Sequence, residues 1–152
     1  MSDSPALHDV LARLQRLEDL AAIHQLFVDY GDRLDAGDLD GYAELFTDDG
    51  ELLLGPVGRA QGREAIKALM APTLEGLVGR SFHQISNPRV TLDGDRATTV
   101  VMWTVIQVDD RGRPRMPMMG HHEDEVVRDG DRWRFRRRKG FVDIPSVMPD
   151  RP

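Results

Sequence analysis

The chain contains no cysteine. Disulfides, thiolate zinc sites, iron–sulfur clusters and a thiol nucleophile are therefore excluded. It also lacks an excess of positive charge: 20 Lys and Arg stand against 26 Asp and Glu, a net charge of −6. Binding to nucleic acid rests on such an excess, so no nucleic-acid partner is expected. Long apolar runs are missing too. The longest, around Val100–Val108, falls far short of the roughly 20 residues a membrane helix needs, and no membrane partner is expected. The start, Met1-Ser-Asp-Ser-Pro-Ala, has neither the basic nor the apolar region of a secretion signal. The reading is a soluble, cytoplasmic protein. No G-x-S-x-G, P-loop, G-x-G-x-x-G or H-E-x-x-H occurs, so the motifs of a serine hydrolase, a nucleotide site and a zinc-protease helix are all absent. Neither a cofactor nor a metal is expected.

What is present suits one globular domain. A chain of 152 residues can bury roughly 70% of its unfolded surface. The first third reads as helix: Leu7, Leu11, Leu14, Leu17, Leu20, Ile23, Phe27, Tyr30 and Leu34 recur every three or four residues. A stripe this long is expected to break once, near Leu17–Asp19. Gly37 stands where a left-handed C-terminal cap would, and Asp38 can cap the next helix. That short helix, Leu39 to Phe46, ends at the turn-forming Thr47-Asp48-Asp49-Gly50. Glu51–Leu54 reads as a strand, and Gly62–Met70 as a third helix with Pro72 beyond its end. After residue 80 the texture turns to strands: Ser81–Asn87, Arg89–Asp93, Ala97–Val108, and a hairpin of Met116–Arg128 with Arg132–Val142 about Asp129-Gly130-Asp131. The expected domain spans residues 1–142, followed by an irregular tail, 143–152, with three prolines. Helices first and antiparallel strands after imply an α+β fold, with helices covering one face of a curved sheet. Val100–Val108 is apolar on both faces. The outer face therefore calls for a second copy, and a homo-oligomer, trimer or dimer, is expected.

Four features could carry chemistry. His83 lies mid-strand among Ser81, Ile85 and Asn87 on one face, a mixture suited to a pocket wall. Asp35 stands at the end of the first helix, where an acid opposes the helix dipole. A carboxylate bonded to imidazole Nδ1–H fixes the tautomer and raises the basicity of Nε2, so Asp35 and His83 would form a proton-abstracting pair if the fold joins them. His121 and His122 are adjacent on a strand and point to opposite faces, so they cannot share one metal. The run Arg132-Trp133-Arg134-Phe135-Arg136-Arg137-Arg138-Lys139 lies opposite Glu123, Asp124 and Glu125. Cross-strand ion pairs account for much of it.

Taken in order, the segments resemble the SnoaL-like branch of the nuclear transport factor 2-like superfamily over about residues 17–142. The matching stretches are Ile23–Tyr30 leading to Leu34-Asp35-Ala36-Gly37-Asp38, Ala43–Gly50, Gly62-Arg63-Glu64-Ala65-Ile66, Phe82-His83-Gln84-Ile85, His122-Glu123-Asp124, and Asp129–Phe135 with Arg138. The resemblance implies a cone-shaped, mixed but mainly antiparallel sheet wrapped around a pocket closed by the N-terminal helices. Lyases of that superfamily, among them scytalone dehydratase, bile acid 7α-dehydratase and hexachlorocyclohexane dehydrochlorinase, are similar in carrying an Asp that matches Asp35 and a His that matches His83. Tyr30 stands at the offset of a further catalytic tyrosine. The implied activity is that of a cofactor-independent lyase or isomerase: His83 takes a proton from carbon, Asp35 steadies the imidazolium, and Tyr30 donates to a substrate oxygen. Phe46, Met102, Trp103, Met118, His122 and Arg138 are expected to contact the substrate, a small and fairly apolar molecule such as a steroid, terpenoid or polyketide. Simple alternation puts Arg138 on the face opposite Trp133 and Phe135 unless a bulge intervenes, and pairing with Asp124 as scaffolding is its other role. The alternative functions are a non-catalytic ligand-binding module and an accessory β-subunit of an oxygenase.

Overall fold

The computed structural model describes residues 5–145. The first helix, α1 (Pro5–Ala36), is continuous and has no break near Leu17–Asp19. No proline or glycine interrupts it from Ala6 to Tyr30, and Leu, Ala, Arg, Gln and Glu dominate that stretch. Its first half stands clear of the core: Leu7, Leu11, Leu14 and Leu17 are exposed, and burial begins at Asp19. Asp19 marks where the helix meets the sheet. Its carboxylate accepts hydrogen bonds from Arg128 Nη2 at 2.6 Å and Trp133 Nε1 at 3.3 Å. Burial pushes this carboxyl up, but the bonds from Arg128, Gln15 and Trp133 outweigh it and hold the group below the usual carboxylate range.

The helix ends in a Schellman turn. Gly37, at φ 69°, donates its N–H to Leu34 O at 3.1 Å, and Asp38 donates to Arg33 O at 2.9 Å. Asp38 then caps α2 (Leu39–Glu44) by accepting the Gly41 N–H at 2.9 Å. Together these residues fix where α1 stops, and so where Asp35 stands.

The strand β1 (Phe46–Leu53) begins earlier than expected. Its polar Thr47-Asp48-Asp49-Gly50 is absorbed as a register irregularity between Phe46 and Glu51. A short 3-10 turn leads to β2 (Arg59–Gln61), which is too brief to carry a sequence pattern. The third helix, α3 (Arg63–Leu74), runs through Pro72 rather than ending before it. Buried Met70 and Leu74 hold its last turns against the core. Four long strands follow: β3 (Ser81–Asp93), β4 (Arg96–Val108), β5 (Pro114–Asp129) and β6 (Arg132–Pro145). β3 is one strand where two were expected. Asn87, at φ 51°, precedes Pro88 and kinks it, with a register shift between Ser86 and Arg89. β6 takes in Asp143–Pro145, assigned above to an irregular tail; the remainder of that tail, 146–152, lies outside the described residues.

The sheet order is β2-β1-β6-β5-β4-β3, with β1 and β6 parallel and the other pairs antiparallel. The helices pack on its inner face and the core lies between, with Ile23, Phe46, Ile66, Val101 and Phe135 wholly buried. Each such side chain contributes roughly 1.5–3 kcal/mol. This is the mixed α+β fold with a curved, mainly antiparallel sheet that the sequence implied. No helix among the described residues is long and apolar enough to cross a membrane.

Candidate active site

The site starts from a glycine. At Gly31 a Cβ would stand 3.2 Å from His83 O and 3.5 Å from Ile85 Cγ1. Its bare Cα lets α1 lie directly on β3, and one turn later the helix presents Asp35 to that strand. The Asp35 carboxylate accepts the backbone N–H of His83, which stands 3.0 Å from each oxygen. The same Oδ1 lies 2.6 Å from His83 Nδ1. A carboxylate at Nδ1 places the proton on that nitrogen and leaves Nε2 as the basic one. The backbone bond holds the carboxylate in place independently of the ring, so the pair is built on two rigid elements. Both side chains are largely shielded, 16% exposed for His83 and 19% for Asp35.

His83 opens on a cavity of about 140 Å³. Tyr30 and Leu34 of α1 close it above. Trp103 and Val105 of β4, with Met118 and His122 of β5, form its sheet wall. Leu54, Val57, Met70 and Thr73 come from the chain around α3, and Gly140 and Val142 from β6. Most of this lining is carbon. The polar exceptions are the hydroxyls of Tyr30 and Thr73, the two imidazoles and the indole of Trp103. Trp103 Nε1 and His122 Nδ1 are both buried without a hydrogen-bond partner.

A family model of the SnoaL-like domain matches residues 15–139. The chain belongs to the SnoaL-like family. Solved structures agree on the fold. A nuclear transport factor 2-like protein with a cystatin-like fold from Novosphingobium aromaticivorans is 28% identical, with 97% of this chain and 95% of that chain covered at a TM-score of 0.85. A candidate scytalone dehydratase from the same organism is 27% identical over 85% of this chain and 87% of that one, at a TM-score of 0.71. LinA, at 21% identity, covers 90% and 95% with a TM-score of 0.78, a likeness of fold alone. No curated protein matches the sequence significantly.

In this SnoaL-like domain five of the residues singled out from sequence line one cavity: Tyr30, His83, Trp103, Met118 and His122, with Asp35 directly behind His83. Three do not. Met102 pairs with His121 and Ser86 and lies on the outer face, because alternation sends it opposite to Trp103. Phe46 is wholly buried beneath the cavity, packed between Tyr42 and Phe135. Arg138 is wholly buried and reaches no cavity wall. Its guanidinium lies 3.9 Å from the Tyr30 ring centre and 4.2 Å from that of Phe135, with Nε 3.2 Å from Asp124 Oδ1. It shares the inner face with Phe135 because Arg136 is bulged: Glu125 pairs with Arg137 while Val126 pairs with Phe135.

Burial and the Arg138–Asp124 charges set the ionisation of the groups around the cavity. Burial pushes the Asp124 carboxyl up, against the pull of Arg138 and a 2.9 Å hydrogen bond from Thr99 Oγ1. Burial also holds His122 well below the ordinary histidine range, with Arg138 adding in the same direction. Tyr30 is pushed up by burial, and Tyr42 Oη donates to its oxygen at 3.4 Å. Tyr42 and the roof residues from the loop and α3 were not identified from sequence. Gly140 carried a signal there, as a glycine inside a strand pattern marks a close approach.

Proposed function

We propose that this domain abstracts a proton from carbon and expels a leaving group, as a cofactor-independent dehydratase-type lyase. The observation that carries the reading is the Asp35–His83 pair opening on an apolar cavity. His83 Nε2 takes the proton from the carbon beside a carbonyl, and the C–H electron pair passes into the enolate. Asp35 lowers the energy of the imidazolium so formed. The enolate re-forms the carbonyl as the β-hydroxyl departs, and the imidazolium returns its proton to that oxygen, releasing water. Tyr30 is a hydroxyl donor within the same cavity. The candidate scytalone dehydratase among the related structures supports the reaction class.

The cavity bears on substrate size. Drug-sized ligands occupy roughly 300–1,000 Å³, whereas a cavity of roughly 150 Å³ holds benzene. At about 140 Å³ the enclosed part of the substrate is a single ring. A polycyclic substrate would project past Val57 and Val142. The test is a panel of cyclic β-hydroxy ketones followed by water loss, with D35N and H83Q alongside the native protein. Ligand binding with no turnover of any member would instead support a binding module.

A further inference from the structure

Gly140 lies inside β6, opposite His122 on β5. Its backbone is ordinary strand without a positive φ, so conformation does not call for glycine there. Space does. A Cβ would stand 2.9 Å from Leu54 Cδ2, 3.2 Å from His122 Cδ2 and 3.4 Å from His122 Nε2. The imidazole therefore leans across the bare Cα of its cross-strand neighbour. Nδ1 is sealed and unpartnered, and the Nε2 edge lies on the Gly140 side, where both residues line the cavity. His83 stands on β3, two strands away, and is level with Val105 of β4 and Met118 of β5, so His122 is offset from it by four residues along the sheet as well as across it. Both imidazoles line the one cavity, whose volume of about 140 Å³ suits a single small ring.

We infer that His122 is a substrate-binding residue whose Nε2 hydrogen-bonds an uncharged oxygen, a ketone or hydroxyl, on the same ring whose carbon His83 deprotonates. The inference rests on the proton-abstraction reading of this cavity. In the reaction above, this oxygen is the carbonyl that receives the electron pair, and a donor already in place lowers the enolate without a proton transfer. Burial and the nearby Arg138 keep His122 uncharged, so it offers a hydrogen bond rather than a charge. No Lys or Arg among the described residues lines the cavity; Arg138, whose guanidinium nitrogens have no hydrogen-bond partner among the described residues, is wholly buried beside Asp124 and the rings of Tyr30 and Phe135. The cavity therefore selects neutral cyclic ketones or alcohols over ring carboxylates.

Three ring probes test this on the native protein and on H122Q, H122F and G140A: cyclohexanone, toluene and cyclohexanecarboxylate. Cyclohexanone is expected to shift the His122 Nε2 resonance in a 15N-histidine spectrum, and toluene is not. H122F is expected to weaken cyclohexanone about three- to tenfold, the worth of one neutral hydrogen bond, and to leave toluene within about twofold. H122Q, which keeps a donor, is expected to recover part of the loss. G140A fills the cavity and weakens both rings. Cyclohexanone affinity unchanged in H122F, carboxylate binding tighter than ketone at neutral pH, or no ring binding at millimolar concentration would each overturn the inference. D35N separates the two readings: turnover that survives D35N sinks the elimination mechanism, while the probe data still decide the role of His122.

Discussion

His121 and His122 are neighbours on β5, and Arg138 and Lys139 are neighbours on β6, yet each pair divides between the two faces of one sheet. Outside, His121 Nδ1 meets Asp143 Oδ2 at 2.7 Å, its ring stacks on Phe141 at 4.6 Å, and Lys139 Nζ lies 4.6 Å from the same aromatic ring. Inside, Arg138 lies over Tyr30 with Asp124 as its counter-charge, and His122 stands beside them. The inner face also receives a second His–Asp pair, His83 with Asp35, at 2.6 Å. The two His–Asp distances differ by only 0.1 Å, so hydrogen-bond geometry does not separate a candidate catalytic pair from a surface one. Setting does. Asp143 is 42% exposed, against 19% for Asp35, and the inner pair opens on a cavity in which a substrate carbon could sit. Water competes for every group outside, whereas inside each group must be matched by protein or by ligand.

Removing one carboxylate from each pair has the largest expected effect. D35N keeps an oxygen for the His83 backbone N–H but loses the charge that steadies the imidazolium. It is expected to lower kcat on any identified substrate about 10²- to 10⁴-fold, the range for general-base catalysis. D143N is expected to leave kcat unchanged. Equal losses in the two variants would mean that the cavity is not the site of chemistry.

Next in size is the charge buried inside against its neighbour outside. R138M strands Asp124 without its cation, which typically costs about 3–5 kcal/mol. K139M removes an exposed charge and is expected to move stability by no more than about 0.5 kcal/mol. Urea unfolding of both variants checks the contrast. If R138M unfolds at the native midpoint, Asp124 is not relying on Arg138.

The same contrast explains what was legible in sequence. Asp35, Gly37 and Asp38 could be read locally, because helix ends are set by residue type over one or two turns. The hairpin about Asp129-Gly130-Asp131 was legible for the same reason. That Asp35 reaches His83 depended on the family resemblance, since nothing within either segment encodes a contact across 48 positions. The faces were harder. β4 is apolar on both sides, so its pattern does not say that Trp103 faces in and Met102 out. Arg138 faces in only because the chain bulges at Arg136, and a run of basic residues hides the extra one. Phe46 looked like the end of a helix because β1 opens with residues that usually make turns. Leu54, Val57, Met70 and Thr73 meet over the cavity only through the path of the chain around α3, which no periodicity in the sequence records.

Acid acts on the inner face through His122. An unfolded histidine takes up a proton near pH 6.5, while buried His122 resists it because of burial first and Arg138 second. Unfolding therefore takes up a proton at acid pH. Stability is complete above about pH 6.5 and falls as pH drops below it, by up to about 1.4 kcal/mol per pH unit for this one group. Asp124 acts with the opposite sign: its raised folded value gives a contribution present at low pH and lost as pH rises through that value. Comparing urea midpoints of the native protein and H122Q between pH 7.5 and 5.0 isolates the histidine, and the native protein should lose more stability on acidification. Parallel curves would show that folding leaves the proton affinity of His122 unchanged.

The smallest effect belongs to the outer pair, and it gives the comparison its control. Asp143 and His121 meet at the surface, where solvent and salt screen an ion pair to about 0–1 kcal/mol. His121 is also held by its stacking on Phe141, which D143N leaves intact. D143N is therefore expected to change the unfolding free energy by less than about 0.5 kcal/mol. Any difference should shrink further at 1 M salt, where the screening length is about 3 Å. A loss above 2 kcal/mol that persists in high salt would mean that Asp143 is shielded in the assembled protein. The outer face would then be covered rather than open to water, and exposure could no longer be the feature that separates the two His–Asp pairs.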